Sequence, residues 1–264
     1  MIFMGNLKNQ YPLEDFIDTH VHTAPDIKPR AVNDIEAAYE AKHEKMHAII
    51  IKSHVESTAG RAKIAEKISK FKVIGGVCLN SSVGGLNPEA VKTTADLGGR
   101  IVWFPTISAP KISINYENIE SILGIIAEKK LVLASGHLKP DDIFLLIDYA
   151  KSLKIKKIII NHPLTNVVGA TMDEQKEMSK YAYLEHCFVA CMEKHDRLDP
   201  HVIAEAIKET GYKRCIMATD FGQAHNPVPV EGMKMFVNSM IEYGIKEKYI
   251  HKMCVQNPSK LLLD

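Results

Sequence analysis

Short runs of β-branched and apolar residues recur along this chain, with amphipathic, well-capped segments between them. Eight runs are expected as strands: 16–22, 48–54, 73–79, 100–106, 131–137, 157–162, 183–190 and 214–220. Runs such as Lys157-Ile-Ile-Ile-Asn161 lack clean polar alternation. Strands that read this way are usually buried on both faces of a parallel sheet. The intervening segments carry helix signals. Asn33 with Glu36 and Thr171 with Glu174 have capping-box spacing. Asn87-Pro88 and Asp199-Pro200 pair an N-cap residue with a proline in the first turn, and Gly98-Gly99 and Gly211 supply the stops. Asp141-Asp142 suits the start of a helix that ends near Leu153. A last large helix is expected over 229–244, with shorter ones over 246–253 and 258–263.

Eight strand–helix units at intervals of about 30 residues predict an α/β fold, a single (β/α)8 TIM barrel. A doubly wound open sheet usually has fewer strands and often opens on a Gly-rich turn, whereas the first strand here ends His20-Val21-His22. No linker-like stretch divides residues 1–264, so one domain is expected. With 46% hydrophobic and 25% charged residues the chain is globular rather than disordered. The net charge is +1 and no long run of like charge occurs, which argues against nucleic acid or an anionic membrane as partner. No apolar run approaches the roughly 18 residues that span a bilayer. The segment from Met1 to Tyr11 lacks the apolar core of a signal peptide. Five cysteines without a framework fit a reducing cytoplasm, and Cys187 and Cys191 read as two buried thiols rather than a metal knuckle. Twelve histidines, more than most chains of this length carry, are the first pointer to chemistry.

In a (β/α)8 barrel the reactive groups gather where strands end. The expected strands end at His22, His54, Leu79, Thr106, His137, His162, Ala190 and Asp220. Five of these eight can bind a metal. His20 and His22 are two apart, so both imidazoles should enter the barrel mouth. Each residue alone reads as readily as a strand cap; together, on these strands, they are hard to explain as packing. Imidazole with carboxylate suits Zn²⁺ and also Mn²⁺, Fe²⁺ or Ni²⁺. Lys52 and His54 also share a face of their strand.

Asp18-Thr-His-Val-His22 resembles the first-strand H-x-H of the amidohydrolase superfamily. His137, His162 and Asp220 follow in the order of that superfamily's fifth-strand His, sixth-strand His and eighth-strand Asp. Asn257-Pro-Ser-Lys-Leu-Leu262 is similar to the ending of many members. The likeness runs from about Phe16 onward. It is closest to a poorly characterised branch with Thr-Ala-Pro-Asp26 after the H-x-H and Lys52-Ser-His54 after the second strand.

The resemblance implies a metal-dependent hydrolase in which His20, His22 and Asp220 hold a divalent cation, most simply zinc. His137 would be a further ligand, or would share a second ion with His162. Asp220 would also take the proton of the attacking water. Two-metal members place a carboxylated Lys or a Glu at the end of the fourth strand, and Arg100-Ile-Val-Trp-Phe-Pro-Thr106 has neither. One ion is therefore favoured and two stay open; with one, His162 becomes a polarising or acid group. Lys52 is expected to pair with Asp18 or Glu185, or, as a carbamate, to replace the missing bridge. Lys52, His54, Arg30 and Arg61 are expected to bind substrate, and Glu185 is a further candidate ligand or base. The expected activity is hydrolysis of an amide, lactone or ester-type bond in a small molecule. The alternatives are decarboxylation of a small acid and a barrel that binds without turnover. Many such barrels are homodimers, so a dimer is the prior expectation.

Overall fold

The computed structural model describes residues 11–263; apart from Tyr11, the segment considered for a signal peptide lies outside them. The strands are β1 (Ile17–His22), β2 (Ala48–Lys52), β3 (Lys72–Ile74), β4 (Gly76–Cys78), β5 (Ile101–Trp103), β6 (Val132–Ala134), β7 (Ile158–Asn161), β8 (Tyr183–Cys187) and β9 (Cys215–Ala218). All pair in parallel, as β1-β2-β3 and as β4 through β9 in order. The expected third strand is thus two pieces broken at Gly75. There the backbone bonds a loop instead of a neighbouring strand: Thr58 Oγ1 accepts from the Gly76 amide at 2.9 Å and donates to the Ile51 carbonyl at 2.7 Å. At the other seam the Asp220 amide donates to the His20 carbonyl and the His22 amide to the Phe221 carbonyl, both at 2.8 Å. These bonds tie the end of β9 to β1, although the strand ladder is not continuous all the way round.

Alternation along the strands builds two cores. Ile17, Ile50, Ile101, Trp103, Ile159 and Ile216 fill the inside of the strand ring. Ile49, Ile51, Val102, Leu133, Ile160, Leu184 and Met217 pack outward with the helices. Burying each such side chain fully is worth about 1.5–3 kcal/mol. The helices begin where capping chemistry puts them. Asn33 and Thr171 close capping boxes with Glu36 and Glu174, and Asn87 and Asp199 accept bonds from the first-turn amides of Pro88–Asp96 and Pro200–Thr210. The large C-terminal helix is Pro229–Glu242. The expected helix over 246–253 continues into a π-helical turn, Lys252–Gln256, before Asn257–Leu262. Among the described residues no helix is long and apolar enough to cross a membrane.

Most strands stop short of their expected ends. β2, β5, β6, β7, β8 and β9 end two or more residues early except β7, which ends one early, so His54, Thr106, His137, His162 and Asp220 lie on the turns just beyond. The backbone explains this. His162 (φ 52°) and Asp220 (φ 54°) are left-handed, as is Gly136 before His137 (φ 62°), and a left-handed residue cannot continue a strand. Such positions cluster at functional sites because the surroundings must hold them there. Gly222 follows with φ 129°, and a Cβ on it would overlap the carbonyl oxygen of His22. Gly222→Ala is expected to destabilise the protein by about 3 kcal/mol or more, read as a fall in thermal midpoint. A loss under about 1 kcal/mol would mean that the loop moves freely away from His22.

Candidate functional site

β1 carries a register shift between Asp18 and Val21. Ile17 faces the inner core and Val21 the outer one, so the shift lets His20 and His22 both face inward above Ile17. A bulge re-aims side chains in this way. Asp18 clasps the seam, accepting from Thr219 Oγ1 at 2.5 Å and from the Thr219 amide at 3.1 Å. Burial pushes its carboxyl up to about 7.

Asp220 sits at the centre of the site. Its Oδ1 is 3.3 Å from His20 Nε2 and 3.0 Å from His22 Nε2, and its Oδ2 is 3.6 Å from His162 Nε2. The tautomer of His20 follows from its other nitrogen. Nδ1 lies 2.9 Å from Glu185 Oε2, an oxygen that already accepts from Asn161, so the proton is assigned to Nδ1. The lone pair of Nε2 then faces a carboxylate oxygen. Two acceptors at 3.3 Å suit a cation or an N–H donor beside them. Lys52 Nζ stands 3.1 Å from His20 Nε2 and 5.5 Å from the Trp103 ring, and is buried. Among the described residues it makes no ion pair with Asp18 or Glu185, the partners expected for it. The inward face of β2 aims it at the His20 imidazole instead.

Among the described residues Glu185 is neither bonded to a Lys or Arg nor turned to Asp220. It is fully buried and accepts from Thr19 Oγ1 (2.5 Å), Asn161 Nδ2 (2.7 Å) and His20. These contacts make it the group that orients His20, a recurrent arrangement behind metal-ligating histidines. The sequence reading missed Asn161 and Cys187. Asn161 stands two residues after the inward Ile159 and Cys187 two after Glu185, and that period was the available signal. Cys187 is buried, 3.8 Å from His20 Nδ1, while Cys191 is only half-buried; both are free thiols.

Among the described residues two groups of side chains have donor atoms all within 4.8 Å of one another: His20, His22 and Asp220, and His20, His162 and Cys187. The first suits a tetrahedral ion, because metal bonds of about 2.0–2.1 Å put neighbouring ligand atoms roughly 3.3 Å apart. His137 joins neither group. Its ring is 5.2 Å from that of His162 and 6.4 Å from that of His54. His54 is 4.7 Å from the His22 ring and bonds Thr106 Oγ1 at 2.9 Å. Arg30, expected at the mouth, is gripped by Asp26 at 2.7 and 3.0 Å and stands 3.4 Å from His22 Nδ1. Arg61, expected to bind substrate, spends its donors on Asp34, Glu56, Thr23 and the Pro25 carbonyl. It ties the loop after β1 to two helices, and its planar fork is filled by protein acceptors.

Burial pushes the imidazoles of His20 (to about 3), His22, His54, His137, His162 and His186 (to about 4) down, and Lys52 adds to the effect on the first five. Neutral imidazole is the metal-binding form. A depressed base means that the unfolded chain binds more protons below pH 6.5, so stability is lost as the pH falls from there toward 4 and 3. Asp18 acts the other way between about pH 4 and 7, one carboxyl against six imidazoles. The thermal midpoint of metal-free protein is therefore expected to fall steadily below pH 6.5 in calorimetry. A flat or rising midpoint would show that the folded state holds these rings charged.

The sequence matches a family described as of unknown function (DUF6282) over residues 15–118 and 114–185. No curated protein matches it by sequence. Solved structures with the same fold include the phosphotriesterase homology protein of Escherichia coli, complexed with phosphate in its active site. It is 12% identical with a TM-score of 0.68, covering 95% of this chain and 99% of that one. An amidohydrolase from Pseudomonas aeruginosa is 12% identical (TM-score 0.64; 95% and 96% covered). Dihydroorotase from Campylobacter jejuni is 14% identical (TM-score 0.59; 94% and 83% covered). At such identities the likeness is one of fold, that of a (β/α)8 barrel.

Proposed function

We propose that this chain, which belongs to the DUF6282 family of unknown function, is a metal-dependent hydrolase of small molecules with one divalent cation. The observation that carries the reading is the pair of facing acceptors, His20 Nε2 and Asp220 Oδ1, at 3.3 Å with His22 Nε2 beside them. These three atoms would hold the ion. Zinc suits two nitrogens and an oxygen best, and manganese, iron or nickel would also be accepted. A single ion is favoured because β5 ends at Trp103, followed by the apolar Phe104, with no bridging carboxylate or lysine. The second donor group does not supply an independent site, since it reuses His20. An intact mass showing a carbamate on Lys52 would reopen the two-ion case.

A divalent cation supplies Lewis-acid polarisation and makes a water nucleophilic near neutral pH. The chain's own groups do the rest. Asp220 Oδ2, turned away from His20 and His22, would take the proton of the attacking water and later give it to the leaving group. His162 Nε2 and Lys52 Nζ would offer N–H donors to oxygen where negative charge develops. Glu185 keeps His20 Nε2 unprotonated toward the ion. Arg30 and His54, beside His22, would meet the substrate, an amide, lactone or related ester. A second reading, decarboxylation of a small carboxylic acid, is favoured by the same lack of a bridging ligand. Metal-loaded protein tested on a panel of lactones, amides, esters and unsaturated acids is expected to release acid or amine without carbon dioxide. Carbon dioxide release would replace the hydrolase by the lyase, and bound metal without any turnover would leave a binding barrel.

A further inference from the structure

β8 alternates between two roles. Tyr183 and Glu185 face inward, Cys187 reaches to 3.8 Å from His20 Nδ1, and His186 between them lines a cavity behind the site. His186 is 2% exposed, yet neither of its ring nitrogens has a partner. The same is true of Nδ1 of His162. Both residues line one cavity, together with Thr165, Cys187, Leu198 and Ile203, of about 10 Å³ for the centre of a water-sized sphere. One water needs about that much room and two to four polar partners.

We propose that a single buried water joins the imidazole of His186 to Nδ1 of His162, and that His186 thereby positions the proton of His162. Two buried rings without a partner at these atoms are costly, and one water gives each of them a partner. Thr165 Oγ1 donates to the His162 carbonyl at 2.9 Å, so its own lone pairs are free to accept from the water. A neutral imidazole has one N–H and one bare nitrogen. If His186 donates to the water and the water donates to His162 Nδ1, the His162 proton sits on Nε2. That nitrogen faces Asp220 Oδ2. The His162 ring stands between the inner site, where its Nε2 is 3.6 Å from Asp220 Oδ2, and the cavity that it lines. His162 then presents a donor to the site and cannot ligate through Nε2. This inference deepens the single-ion hydrolase reading and rests on it for the use of that donor.

The test is ¹⁵N NMR of histidine-labelled full-length protein, with His162 assigned by its loss in His162→Gln. The parent is expected to carry the His162 proton predominantly on Nε2. In His186→Leu the Nδ1-protonated form should rise to a comparable population, and His186→Gln, which keeps a donor, should restore the parent pattern. A His162 proton on Nδ1 in the parent, or an unchanged tautomer in His186→Leu, would overturn the proposal. Unchanged His20 and His22 signals certify that the variant is folded. Where it does not fold, a high-resolution crystal structure of the parent decides: density bonded to both rings supports the water, and its lack refutes it. Metal uptake by the parent, measured alongside, separates the two ideas. Uptake with an unmoved tautomer sinks the His186 role alone, and a moved tautomer without uptake sinks the hydrolase reading alone.

Discussion

Protein with His20→Ala and His22→Ala together is expected to retain at most about a tenth of the divalent metal bound by the parent, measured by elemental mass spectrometry on untagged protein. The substitutions remove two of three donors that lie 3.0 and 3.3 Å from Asp220 Oδ1. A lone, partly exposed carboxylate does not hold a transition metal against buffer. The fold should survive, because Glu185 still accepts from Thr19 and Asn161 when His20 is gone; circular dichroism checks that. Loss of one equivalent fits the single-ion centre. Loss of two would send attention to Lys52 and to the group containing Cys187 and His162. A parent protein without metal, even after reloading, would overturn the metal-dependent reading outright.

Asp220→Asn should lower turnover of any hydrolysed substrate by about 10³-fold or more while leaving the protein folded. The amide keeps the shape of the carboxylate but cannot take a proton. Asn tolerates the left-handed backbone at position 220 better than most residues, so the variant separates chemistry from strain. Steady-state rates on the best substrate of the panel, with metal content measured on the same sample, provide the check. A rate within a few-fold of the parent, at full metal content, would remove Asp220 from the proton path.

How much of this site was legible from the residues depended on which period governed each one. His20 and His22 were readable because alternation on a strand is local, and Lys52 and His54 for the same reason. Their partners were not. The expectation that Lys52 pairs with a carboxylate failed because nothing in the sequence says which inward side chain of the neighbouring strand stands opposite it; the structure supplies His20 Nε2 at 3.1 Å. Glu185 was noticed as a charge inside a strand, but its use depends on Thr19 and Asn161, 166 and 24 residues away along the chain. Arg30 and Arg61 looked alike as loop cations. Only packing shows that one stands against His22 and that the other is consumed as a strut.

Taken by itself the sequence determined the elements and their order, since strand alternation, capping boxes and proline or glycine punctuation act over a few residues. It also placed imidazoles and one aspartate where strands end, which is the pattern the proposed chemistry rests on. The tertiary structure decided the rest. It broke the third strand at Gly75, where Thr58 takes the backbone bonds a neighbour would have made. It shifted the register of β1 and turned His162 and Asp220 into left-handed conformations. It left His137 outside both sets of converging donors. Those choices are settled by contacts between residues far apart in the chain, whose free energies depend on distance and orientation in three dimensions, and local pattern does not encode them.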